Sequence, residues 1–358
     1  NNQIMVHEQY FFNISYLPLE QEKPIEYYMF NSLTYLKKAI YKRVHNCERE
    51  VACLLSGGLD SSIISAYVSR FYKEKTGNQI ETYSIGLSGA EDLKYASLVS
   101  KQINSKHNDI IFTNSQFLDS ISNVIQDIET YDTTTVRASV GNWNIGKYIS
   151  ENSNAKVIFN GDGADELMGG YIYFHCAPNN EEFHNEKLRL LKDINNFDVL
   201  RSDKSISSHG LEPRTPFLDK EFTKYYLSIP IKYRNHNIMK KGEKYLIRKA
   251  IELYDPELLP KEVLWRTKEA FSDGVSSMDK SWYEIIQESL ETREFNITSD
   301  ITLNMEPETN EQKYYYELFI EKFDKSCVNI IPYYWMPKYI ENANDSSART
   351  LNVYKEKI

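Results

Sequence analysis

The chain has 358 residues, 41% hydrophobic and 26% charged, with 42 Lys and Arg against 51 Asp and Glu and a net charge of −9. That length can bury a sizeable core. The acidic balance argues against a general nucleic-acid binder, which gains affinity by neutralising phosphates with a basic surface; it leaves room for a small anion held by a few local cations.

No apolar run approaches the roughly 18 residues of a membrane span. The opening run Asn1-Asn2-Gln3-Ile4-Met5 lacks the basic and apolar regions of a secretory leader. Cys47, Cys53, Cys176 and Cys327 are scattered, with no metal-clip or redox spacing. They read as packed thiols of a protein in a reducing, cytoplasmic compartment.

In chain order, residues 1–24 are mixed, with Pro18, Pro24 and a loose aromatic cluster, and read as a linker or an edge strand. Tyr28, Phe30, Leu33, Leu36 and Ile40 predict a helix over 25–43. Val51 to Leu55 is a short apolar strand that stops at Ser56-Gly57-Gly58, and a helix begins near Asp60. The alternation continues with a strand over 82–86, a helix over 91–103, a strand over 109–112, a helix over 115–130 and a strand over 156–160. Such alternation implies right-handed βαβ crossovers and a mostly parallel sheet covered on both faces. After about Gly170 helical patterns dominate, over 185–200, 219–228, 243–253 and 311–323. The fold class is therefore α/β, with a helical C-terminal part. A polar tail closes the chain over 341–358.

Two segments sit where strands run out. In Ser56-Gly57-Gly58-Leu59-Asp60-Ser61-Ser62, consecutive backbone N–H groups and a helix N-terminus form a cradle for phosphate oxygens. Asp60 is placed to hold Mg²⁺ on the same oxygens. The segment lacks the Gly-Lys-Ser/Thr ending of the common nucleotide loop. Asn160-Gly161-Asp162-Gly163-Ala164-Asp165-Glu166 closes the fourth strand, and ligands of open parallel sheets lie beyond the carboxyl ends of strands. Asp162, Asp165 and Glu166 suit metal coordination or electrostatic control, although an acidic helix start is the plainer account of the same residues. A third segment, Trp265 to Gly274, brings Arg266 and Lys268 beside aromatics.

With GDGADELMGGYIYF, HGLEPRTPFLD and LPKEVLWRTKEAFSDGV, the SGGLDSS loop resembles the synthetase domain of asparagine synthetases, in the N-type ATP pyrophosphatase family. Glu129 to Asp132, Arg137 to Ser139, Tyr334 to Pro337 and Ser346 to Arg349 fit the same pattern, so the likeness runs from about residue 25 onward. The resemblance implies a five-stranded parallel sheet with helices on both faces, the PP-loop fold of adenine nucleotide alpha-hydrolases, over residues 25–340. It implies activation of aspartate by ATP and Mg²⁺ to β-aspartyl-AMP, release of pyrophosphate, and attack by ammonia.

Residue by residue, the resemblance puts Ser56, Gly57, Gly58, Asp60, Ser61 and Ser62 on the pyrophosphate, and Asp60 and Asp165 on Mg²⁺. It puts Leu54, Ile85, Asn160 and Gly161 around the adenosine. Lys268 matches the catalytic lysine, neutralising charge at the α-phosphate and then at the tetrahedral intermediate. Glu166, Lys204, Glu212 and Arg214 are candidates for the amino-acid pocket, with a structural ion pair as the alternative for Glu212 and Arg214. Asp162 stands where glutamine-dependent members carry Glu; its carboxylate retreats by roughly 1.5 Å, which uncompensated costs on the order of a hundredfold in rate.

No glutaminase segment with an N-terminal Cys precedes these motifs. The expectation is that residues 1–24 join a missing glutaminase domain, in cis, or that ammonia comes free or from a partner in trans; a homodimer is compatible with either. A β-lactam-synthetase or lasso-cyclase chemistry, with an intramolecular amine, and a non-catalytic nucleotide binder are the alternatives.

Overall fold

A computed structural model describes residues 16, 18, 21–267, 274–276, 280–295, 303–340 and 345–347. Five parallel strands, β1 (Val51–Leu54), β2 (Glu81–Leu87), β3 (Lys106–Phe112), β4 (Val157–Phe159) and β5 (Glu212–Arg214), form one sheet in the order β3-β2-β1-β4-β5. β1 is central because it is short and apolar: Val51, Ala52 and Cys53 are buried on both faces of the sheet. Complete burial pushes the Cys53 thiol up to about 12, so it packs as an inert apolar group.

Alternation along the strands divides the interior. Val51, Cys53, Val157 and Phe159 face one core, filled from α1 (Ile25–His45), α2 (Leu59–Thr76), α9 (Lys220–Ser228) and α11 (Tyr245–Tyr254). Ala52, Tyr83, Ile85 and Ile158 face the other, filled from α4 (Asn114–Ile128), α5 (Thr133–Asn152), α13 (Trp282–Leu290) and α14 (Asn310–Lys322). α3 (Glu91–Gln102) covers the first face beside β2. This is the expected α/β arrangement.

The chain builds β2 and β3 on one side of β1, then crosses to place β4 and β5 on the other. The direction of growth therefore reverses between β1 and β4, and the loops leaving these two strands diverge and open a crevice. Both glycine segments of the sequence emerge at that point.

Two differences from the sequence reading have physical causes. β5 is Glu-Pro-Arg, three residues at the sheet edge, without an apolar signature. α5 went unrecognised because it is buried nearly all round and mixes Thr, Ser, Asn and Arg137 with apolar residues, so no polar face marks its period. Its N-cap, Asp132, is fully buried: one carboxylate oxygen accepts from Thr135 N and Oγ1 at 2.9 and 2.6 Å, the other from Trp335 N at 2.8 Å. Asp132→Ala removes a cap worth about 1 kcal/mol and orphans a buried N–H at about 1–3 kcal/mol. Urea unfolding should show a loss of about 2–4 kcal/mol by these terms.

Candidate functional site

The crevice between β1 and β4 is lined by the β1–α2 loop, the β4–α6 loop, the start of α5, and residues from the C-terminal part, including Trp335, Pro337 and Ser346. Gly57 makes the first loop possible. Its φ is +75°, and a Cβ there would stand 2.4 Å from Ala96 N on α3. The loop then closes on itself: the Ser56 and Ser61 hydroxyls lie 2.9 Å apart, Ser56 N donates to Ser61 Oγ at 3.2 Å, and Ser61 Oγ donates to Gly58 O at 3.2 Å. The first turn of α2 thus starts at the crevice with its outermost amides unclaimed by the helix itself.

The second loop packs backbone to backbone on this turn. A Cβ on Gly161 would lie 2.7 Å from Ser61 N and 2.8 Å from Asp60 C. Buried Asn160 fixes the loop from behind, donating to Ser202 Oγ at 2.7 Å, while its Oδ1 accepts from Asp162 N at 3.3 Å. Asp165 and Glu166 follow on α6 (Ala164–Met168).

Asp60, in the first turn of α2, and Asp165, on α6, are brought together. Lys244, just ahead of α11, reaches between them, its Nζ 2.5 Å from Asp60 Oδ2 and 2.5 Å from Asp165 Oδ1. Its side chain is 1% exposed. Nothing in the spacing of Lys240-Lys241-Gly242-Glu243-Lys244 marks this residue, and the sequence reading missed it. A second cation, Arg201 on α8 (Asp198–Ser207), bonds Asp162 Oδ1 at 3.1 Å and Asp198 Oδ1 at 3.3 Å. Asp162 is thus oriented by a buried guanidinium.

Glu166 is buried and accepts from Tyr171 OH; burial, with Asp198 and Asp165 nearby, pushes its carboxyl well above the usual range. Burial and neighbouring like charges disfavour the ionised form of such a group. The pocket gathers Asp162, Asp165, Glu166 and Asp198 along one wall.

Several other expected residues fall differently. Leu54, Ser56, Gly58, Asp60, Ser61, Ile85, Asn160, Gly161, Asp162, Asp165 and Glu166 line the crevice. Gly57 and Ser62 do not; Gly57 faces α3, and the buried Ser62 shapes the first turn of α2. Lys204 pairs with Glu129 outside the crevice. Glu212 and Arg214 pair with each other at 2.8 Å on the sheet edge, and Arg214 also donates to Arg43 O. For these two the structural ion pair is what the fold contains. Lys268 lies outside the described residues. On its N-terminal side, Arg266 and Thr267 line the crevice, Arg266 being held by Asp92 at 2.8 Å and stacked 4.1 Å above the Tyr95 ring.

A carboxyl whose pKa rises on folding binds its proton more tightly in the native state, so ionising it costs stability as pH climbs above the ordinary glutamate range. Glu166→Gln carries no such penalty. Melting temperatures of the two proteins should coincide near pH 4 and diverge in favour of Glu166→Gln towards pH 8, in a scan judged relative to the usual glutamate pKa of about 4.3. A difference independent of pH would contradict an upward shift at Glu166.

The Asparagine synthase family model matches residues 33–189 and 177–326. The chain is similar to the glutamine-hydrolysing asparagine synthetases of Gallus gallus (44% identity over 327 residues), Homo sapiens (44% over 335) and Rattus norvegicus (46% over 323). These matches cover 90%, 92% and 88% of this chain but only 57%, 58% and 56% of the relatives, so it spans little more than half their length. The two glycine loops at the switch point and the similarity along the chain agree: it belongs to the asparagine synthase family.

Proposed function

We propose that the chain is an ATP-dependent, amide-forming ligase that converts aspartate to asparagine. The observation that carries this reading is the pairing of Asp60 and Asp165 across the switch point, beside the phosphate-cradling turn of α2 and around one buried ammonium. It is supported by the family membership.

In this reading, the amides of the α2 first turn, with Ser56 and Ser61, receive the β- and γ-phosphates of ATP. Leu54, Ile85, Asn160 and Gly161 border the adenosine. Asp60 and Asp165 are the residues that would hold Mg²⁺, and the fit is chemical. Both are hard oxygen donors gathered around one cationic centre, and Mg²⁺ needs only one or two carboxylates when waters and phosphate oxygens complete its shell. The ion supplies neutralisation of the pyrophosphate leaving group. Among the described residues there is no group of three or more acidic, His or Cys ligands that would suggest a metal site of another kind.

Lys244 neutralises the facing carboxylates and presents an ammonium to the phosphate chain. A side-chain carboxylate oxygen of aspartate attacks the α-phosphorus, the bond to the β-phosphate oxygen breaks, and pyrophosphate leaves. Ammonia then adds to the acyl carbon, AMP departs with the carboxylate oxygen, and a proton is lost from nitrogen. Lys268 is the group assigned to the charge that develops on the α-phosphate and on the tetrahedral carbon. Asp162, held by Arg201, and buried Glu166 border the amino-acid side. The nitrogen source of the intact protein, glutaminase-derived or free ammonia, belongs to the same proposal.

Aspartate, ATP, Mg²⁺ and ammonium should yield equal amounts of asparagine, AMP and pyrophosphate. Formation of ADP, or of no amide, contradicts the reading. Lys268→Ala should lower kcat by about 10²- to 10³-fold with ATP affinity nearly unchanged. Lys244→Met should instead weaken ATP binding by about ten- to a hundredfold, the value of a charge-assisted contact of about 1.5–3 kcal/mol. Titration calorimetry with ATP and Mg²⁺ separates the two roles.

A further inference from the structure

Away from the crevice, α7 (Asn180–Asp193) buries a lysine that the reaction above does not use. Lys187 is 0% exposed, and its Nζ has no hydrogen-bond partner among the described residues. It lies beside apolar rings, 5.2 Å from the centre of Phe183 and 5.8 Å from that of Tyr226 on α9. His184 stands three residues earlier on the same helix face. Arg234 is brought up by α10 (Ile231–Arg234), which packs against α7.

Buried charges are ordinarily paired, yet the charged neighbour of Lys187 has the same sign. Burial and the Arg234 guanidinium push the lysine well below its usual range, which favours the free amine. Arg234 itself is brought down by burial only to about 10 and keeps its charge. Its Nε donates to Ile229 O at 2.7 Å, while Nη1 has no partner among the described residues. Burial with both cations nearby brings His184 down to about 4, so its ring is neutral at neutral pH. Tyr16 OH donates to its Nε2, which leaves the ring proton on Nδ1, a second donor without a partner. No carboxylate among the described residues pairs with Lys187, Arg234 or His184. The cluster therefore holds one nucleophilic amine and two unclaimed N–H donors.

We propose that Lys187 is a carbamylation site: its amine adds to carbon dioxide, and Arg234 Nη1 and His184 Nδ1 hold the two oxygens of the carbamate. The nitrogen lone pair forms the N–C bond, one C=O π bond opens onto oxygen, and one proton leaves the nitrogen for solvent. Nothing is oxidised or reduced. The lysine thereby changes from a group repelled by the guanidinium into its counter-ion, so the buried charge becomes paired. Carbon dioxide, small and uncharged, is the class of electrophile that so enclosed an amine admits. Ordinary lysines, with a pKa of about 10.4, stay protonated near neutral pH and do not compete.

Carbon-13 NMR near neutral pH tests this, with labelled bicarbonate as the source of carbon dioxide and nitrogen-15 in the lysine side chains. A carbonyl resonance split by that nitrogen should appear and saturate as bicarbonate is raised. Lys187→Met, a substitution of similar volume that suits an apolar site, should abolish it. No resonance, an unsplit one alone, which belongs to the chain's terminal amine, or a split one that survives in Lys187→Met would overturn the inference. The melting temperature of the unaltered chain covers the case of a variant that fails to fold. At fixed pH it should rise more in bicarbonate than in chloride of equal ionic strength; an equal response to both salts would contradict a carbamate that pairs with Arg234. Neither readout involves amide formation, so failure here leaves the proposed function standing.

Discussion

The structure turns on two carboxylates that must face each other. Asp60 and Asp165 start helices more than a hundred residues apart, and the close approach of Gly161 to the first turn of α2 brings them within reach of one ammonium. Two carboxylates largely withdrawn from water, with no cation between them, repel each other, and breaking a buried pair costs about 3–5 kcal/mol. Lys244 meets that requirement in the chain as it stands. The same arrangement makes the crevice responsive to any ligand that brings its own cation, because the carboxylates then have a second partner and the ammonium is available to phosphate oxygens.

In the proposed reading, this constraint lets a chain of net charge −9 hold an anionic ligand. The crevice does not rely on a basic surface. Among the described residues, each cation lining it is withdrawn from water and paired: Lys244 with two aspartates, Arg201 with Asp162 and Asp198, Arg137 with Glu311 and Asp345, Arg248 with Glu243 and Arg266 with Asp92. Burial beside Asp198 and Asp165 raises the Glu166 carboxyl above the usual range, which disfavours its charged form. Charge here is a local matter of paired groups in a low-dielectric cleft, where each pair counts for more than it would in water.

How much of this the sequence makes legible depends on whether a residue's role is local. The SGGLDSS turn is readable because strand, positive-φ glycine and helix start are consecutive, and its physics needs nothing from elsewhere. The second glycine segment becomes readable once a parallel sheet is inferred, since strand ends share a rim. Lys244 and Arg201 are not readable in that way; each is one cation among 42, and only the packing of α11 and α8 aims them inward. Lys204, a pocket candidate by resemblance, is turned by α8 towards Glu129. Asp345 lies in a stretch whose composition is that of a tail, and nothing local announces that it meets Arg137 208 positions away.

The central claim is that one crevice joins a carboxylate to the α-phosphorus of ATP and then releases the product of that bond to ammonia. Oxygen tracing tests it most directly. With aspartate labelled with oxygen-18 in its side-chain carboxylate, one labelled oxygen should appear in AMP for each asparagine formed, and pyrophosphate should carry none. Label found in inorganic phosphate, or AMP formed without it, would contradict the account.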